Sequence, residues 1–120
     1  MNRTRMLTAT GIAALAAGLF GAAGAGAAVP KLVASVSDPL NISLTQGGKK
    51  VTALKAGTYT ITVKDTAADH NFHLTGPGLN KTTSVSGKGT TTWKVALKAG
   101  TYKYVCDPHA SVMKGSFTVS

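Results

Sequence analysis

The chain has 120 residues, 43% of them hydrophobic and 14% charged, with 13 Lys and Arg against 4 acidic residues, all Asp. That length suits one domain and excludes a two-domain enzyme, and so high an apolar share with so little charge excludes a disordered chain. A lone cysteine, Cys106, excludes an intramolecular disulfide.

Residues 1–28 read as a cleaved secretory leader. Arg3 and Arg5 give a basic start, Ile12 to Phe20 is the apolar centre, and Ala25-Gly26-Ala27-Ala28 supplies small residues for a peptidase. The competing reading is an uncleaved anchor, but the Gly and Ala content makes the run weakly apolar. No cysteine lies near the cleavage site to carry a lipid. Residues 29–120 then form the exported domain, periplasmic, extracellular or envelope-associated, without stable membrane insertion. This part holds eleven lysines, four aspartates and no arginine. Scattered lysines without arginine argue against nucleic acid and for attraction to anionic partners. A domain this small buries only about 60–65% of its unfolded surface, so a metal crosslink would help a thin core.

After residue 30 the pattern is β throughout. Short β-rich runs are expected at 32–37, 41–45, 50–54, 58–64, 71–74, 82–85, 91–97, 101–106 and 116–119. Turn residues separate them at Gly47-Gly48, Gly57, Gly76-Pro77-Gly78, Gly87-Lys88-Gly89 and Gly100. Such spacing predicts an all-β Greek-key sandwich of about eight strands.

One heptapeptide occurs twice. Ala53-Leu54-Lys55-Ala56-Gly57-Thr58-Tyr59 returns as Ala96-Leu97-Lys98-Ala99-Gly100-Thr101-Tyr102. Each copy ends one strand, turns at glycine and opens the next strand with a tyrosine that pins the corner. Equivalent corners launch strands in equivalent directions. The cargo of both strands, Asp69-His70-Asn71 and Cys106-Asp107-Pro108-His109, is therefore expected at one end of the domain.

The second cargo carries chemistry. Cys106, His109 and Met113 place a thiolate, an imidazole and a thioether in one short loop. Two histidines and a cysteine with a weak axial methionine make the blue-copper arrangement. The second histidine must be His70 or His73. A lone cysteine is most often a small buried hydrophobe. In an exported protein, however, a free thiol is an oxidative liability that metal coordination removes.

Tyr104-Val105-Cys106-Asp107-Pro108-His109, followed by Met113-Lys114-Gly115-Ser116-Phe117-Thr118-Val119, resembles the terminal copper loop of plastocyanin-like cupredoxins. Asp69-His70-Asn71-Phe72 resembles their upstream His-Asn motif. The resemblance covers residues 31–120. It implies one type 1 copper ion ligated by His70, Cys106, His109 and Met113, with Asn71 tying the His70 segment to the cysteine loop. Two departures stand out. Three residues separate His109 from Met113, one fewer than in plastocyanins and one more than in amicyanins. Val105 stands where plastocyanins usually carry a tyrosine beside a second docking surface, and that surface's acidic patch is missing. Partner choice is therefore expected to differ from that of photosynthetic plastocyanin.

His70 matches the motif, whereas His73 lies three residues on and faces the other side of an extended strand. Trp93, Tyr104 and Phe117 are expected in the core. Asp69 and Asp107 neighbour ligands and are expected to cap turns. The resulting expectation is a monomeric, non-enzymatic carrier of single electrons, with His109 nearest solvent. Pro108, Ala110 and Val112 would form a docking face, and lysines would steer an acidic redox partner. The competing readings are an envelope copper-binding accessory or storage protein, and a metal-free structural sandwich. An oxidase or nitrite reductase would need further histidines for further copper centres.

Overall fold

The computed structural model describes residues 28–120. The expected leader, residues 1–28, lies outside them but for Ala28. Ten strands form two five-stranded sheets. One sheet runs β3 (Lys49–Lys50), β2 (Asn41–Gln46), β1 (Lys31–Ser37), β5 (Gly57–Asp65), β8 (Gly89–Leu97). The other runs β4 (Ala53–Leu54), β10 (Lys114–Val119), β9 (Gly100–Val105), β6 (His73–Gly76), β7 (Leu79–Thr82). Pairing is antiparallel except for β1 with β5 and β4 with β10. This is the all-β, two-sheet sandwich expected from the pattern.

The period of two along a strand decides which side chains fill the space between the sheets. Leu32, Ala34 and Val36 of β1, Tyr59, Ile61 and Val63 of β5, and Trp93, Val95 and Leu97 of β8 are buried from one side. Tyr102 and Tyr104 of β9, with Phe117 and Val119 of β10, fill it from the other. Tyr102 stacks on Phe117 with ring centres 5.2 Å apart, and Tyr104 stacks on Phe72 at 5.3 Å. Such contacts add about 0.5–1.5 kcal/mol each beyond burial. Gly115 lies directly against the Tyr104 ring, where a Cβ would overlap it.

Both copies of the heptapeptide make the same corner. Tyr59 donates its hydroxyl to the Lys55 carbonyl at 2.7 Å. Tyr102 donates to the Lys98 carbonyl at 2.9 Å and accepts from the Lys98 amide at 2.8 Å. These corners fix where β5 and β9 start, and hence where they end.

Three boundaries differ from the pattern. The 50–54 run divides between sheets: Lys50 pairs with β2, and Ala53–Leu54 pairs with β10. Val51 is buried at the crossing, its amide bonded to the Leu44 carbonyl at 2.9 Å. That division yields two two-residue strands, so the nine expected runs become ten strands. The expected 82–85 strand instead runs from Leu79 to Thr82, because the two-residue Pro77-Gly78 turn pairs Gly76 with Leu79. Strand β6 opens at His73 rather than Asn71, whose side chain is bonded to the cysteine loop instead.

Candidate metal centre

Strand β9 carries its inward parity past its last residue. Tyr102, Tyr104 and Cys106 are all buried, so the thiol continues the line of the core aromatics. Pro108 then closes a single 3-10 turn, Asp107–His109, whose fixed φ suits the start of such a turn. The His109 amide bonds the Cys106 carbonyl at 3.0 Å, and the Met113 amide bonds the His109 carbonyl at 2.8 Å. The Cys106 amide reaches the Met113 carbonyl at 3.0 Å and shuts the loop at its base. Strand β5 delivers the other half. Its inward run ends at buried Asp65, whose carboxylate accepts the Ala67 amide at 3.0 Å and turns the chain toward His70. Burial raises the Asp65 pKa above the usual carboxylate value.

The two cargos meet. His70 Nδ1 and His109 Nδ1 lie 3.2 Å apart. Cys106 Sγ is 3.6 Å from the first and 3.5 Å from the second. The point equidistant from these three atoms lies about 2.0 Å from each, which is within the range of metal–imidazole and metal–thiolate bonds of about 2.0–2.3 Å. The donor set therefore fits one metal ion. His70 and Cys106 are fully buried, and His109 is the partly exposed member. The Met113 side chain is fully buried as well.

The surroundings set the state of the donors. His70 Nε2 lies 3.0 Å from the Pro39 carbonyl and 3.1 Å from Asp38 Oδ1. Both are acceptors, so Nε2 carries the proton and the Nδ1 lone pair is left facing Cys106. Asn71 ties the halves together. Its Oδ1 accepts the Asp107 amide at 2.7 Å, and its Nδ2 donates to Asp107 Oδ2 at 2.8 Å and to Thr82 Oγ1 at 3.0 Å.

His73 is held away from the three donors. Its Nδ1 donates to the Asp107 carboxylate at 3.0 Å and its Nε2 faces Asn80 Oδ1 at 2.7 Å. These two bonds raise the His73 pKa above 6.5, and Asn71 followed by His73 holds Asp107 below the usual carboxylate value. Asp107 thus does not cap the turn as expected: its carboxylate is taken by Asn71 and His73. Its carboxylate joins β6 and the cysteine loop, a role foreshadowed only by its position next to Cys106. Two contacts went unanticipated: Asp38 and Asp69 both approach His70 Nε2, at 3.1 and 3.7 Å. No local pattern links Asp38 to a histidine so far along the chain.

Two imidazoles and a thiolate converging at one end of a two-sheet β-sandwich, the thiolate and one imidazole from a single loop, define a cupredoxin-type copper protein. The sequence pattern of the copper-binding proteins of the plastocyanin/azurin family matches residues 38–120, and the chain belongs to that family. His70, Cys106, His109 and Met113 make up the residue set typical of a type 1 copper site. Among solved structures, a reduced rusticyanin is similar at 25% identity and TM-score 0.55, covering 75% of this chain and 78% of its own. Rusticyanin from Thiobacillus ferrooxidans is similar at 26% identity and TM-score 0.53, with 75% and 76% covered. A reduced rusticyanin solved by NMR gives 26% identity and TM-score 0.54 over the same shares. No curated protein matches the chain.

Proposed function

We propose that this protein is an exported carrier of single electrons. In this reading His70 Nδ1, Cys106 Sγ and His109 Nδ1 would hold one copper ion, and the Met113 thioether would be its weak fourth donor. The observation that carries the reading is the triangle of donor atoms, 3.2, 3.5 and 3.6 Å on its sides, already sized for one ion. Copper bound there would supply a one-electron Cu(I)/Cu(II) couple.

The protein's own groups supply the rest. Thiolate and thioether suit the reduced ion and imidazole suits both states, so the donor set favours neither strongly. The Asn71–Asp107 bonds and the closed base of the loop hold the donors in place, which keeps rearrangement small. Burial of His70, Cys106 and Met113 excludes water. His109 reaches the surface beside exposed Pro108, Ala110 and Val112. That apolar rim would let a partner approach the imidazole closely. Lys50, Lys103 and Lys114 share a groove with Val105, the residue before Cys106. They would draw a redox partner with an acidic docking face. Members of this family are typically electron carriers rather than enzymes, which fits a single site with no further histidine cluster among the described residues.

Voltammetry of the copper-loaded protein, with electron self-exchange measured by NMR line broadening, tests the proposal. A reversible one-electron wave and fast exchange are expected. Tightly bound copper with no reversible wave would refute the carrier and leave a storage or accessory role.

A further inference from the structure

We propose that Asp38, supported by Asp69, holds down the reduction potential of the site by acting on the outer nitrogen of His70. The inference rests on copper lying at His70 Nδ1, as proposed above.

His70 is fully buried, and its Nε2–H needs only one acceptor. The Pro39 carbonyl at 3.0 Å already supplies it. Asp38 nevertheless brings Oδ1 to 3.1 Å of the same nitrogen, from the turn between β1 and β2. Asp69 brings Oδ1 to 3.7 Å from the loop after β5. Two loops thus aim negative charge at one ring nitrogen.

The use of scarce charge sharpens the point. The chain has four acidic residues and eleven lysines. Among the described residues, every ion pair joins an aspartate to a histidine, and none joins an aspartate to a lysine. Half of the acidic side chains meet at His70.

The effect has a definite sign. The oxidised and reduced sites differ by one positive charge. A carboxylate on the far nitrogen makes the imidazole a stronger donor and favours the more positive, oxidised form. Both carboxylates are largely exposed, at 70% and 67%, so solvent weakens their action without cancelling it. The nearer Asp38, at 3.1 Å, should act more strongly than Asp69, at 3.7 Å.

Voltammetry of copper-loaded Asp38→Asn, Asp69→Asn and the double variant tests this, with Lys55→Gln, at the opposite corner, as a control for net charge. The potential should rise in both single variants, more in Asp38→Asn, and most in the double. Cu(II) affinity should fall while Cu(I) affinity holds, each tenfold loss matching a rise of about 59 mV for one electron. Asp38→Glu should restore most of the wild-type potential. If Asp38→Asn keeps the blue band and the wild-type potential, the proposal is overturned and the copper site still stands. A fall of equal size in Lys55→Gln, which removes a positive charge instead of a negative one, also overturns it, because net charge would then explain the effect. Should Asp38→Asn fail to hold copper, Asp69→Asn decides: a rise supports the proposal and an unmoved potential overturns it. A wild type without a blue band would instead remove the copper reading on which the proposal rests.

Discussion

Replacing Asn71 with alanine should separate the two halves of the site. The side chain is buried and makes three short bonds: one to the Asp107 amide, one to the Asp107 carboxylate and one to Thr82 Oγ1. A bond to a charged group contributes about 1.5–3 kcal/mol and a neutral one about 1 kcal/mol. Asp107 is half exposed, so the lower end applies to its carboxylate. The sum is about 3.5 kcal/mol, and the Asp107 amide is left without its partner. For a domain near 100 residues that is a fall of roughly 14–28 °C in melting temperature, at about 4–8 °C per kcal/mol. Urea unfolding of the apo-protein, followed by tryptophan fluorescence, measures the loss without copper in play. Asn80→Ala, which removes only the outer partner of His73, provides the comparison and should cost less than about 1 kcal/mol. If Asn71→Ala cost no more than Asn80→Ala, the two cargos would not be held together through Asn71.

Exchanging the histidines should give opposite results: His70→Ala abolishes the blue band, whereas His73→Ala, lacking a place among the three donors, keeps it in the visible spectrum. Met113→Gln should lower the reduction potential, because an oxygen donor suits Cu(II) better than a thioether does. Met113→Leu should raise the potential, and voltammetry that moved with neither variant would exclude Met113 as axial ligand. Asp107 and Asn80 favour the protonated form of His73, so its contribution to stability is complete below its unfolded pKa of 6.5. That contribution fades as pH rises through the higher folded value. The melting temperature of apo wild type should therefore exceed that of His73→Ala more at about pH 5.5 than at about pH 8.5.

Much of the site is written in local pattern. Tyr102, Tyr104 and Cys106 share one parity, so placing the aromatics in the core placed the thiol there too. The repeated heptapeptide announced two equivalent tyrosine corners, and both exist. Equivalent corners explain why His70 and Cys106 arrive at the same end. What stayed hidden depends on contacts between distant segments. The division of the 50–54 run follows from β4 having β10 as its partner, some sixty residues on. The register of β7 follows from a two-residue turn whose length no hydrophobic period reveals. Asp38 reaches His70 only because β1 pairs in parallel with β5 and ends beside the loop that follows it.

Titrating the apo-protein with Cu(II) while recording the visible spectrum tests the thiolate-bound copper most directly. One equivalent should raise an intense blue thiolate-to-copper charge-transfer band that saturates at one ion per chain. Cys106→Ser should stay folded and show no such band. A wild type that binds one equivalent and remains pale would contradict a metal held by Cys106 between His70 and His109.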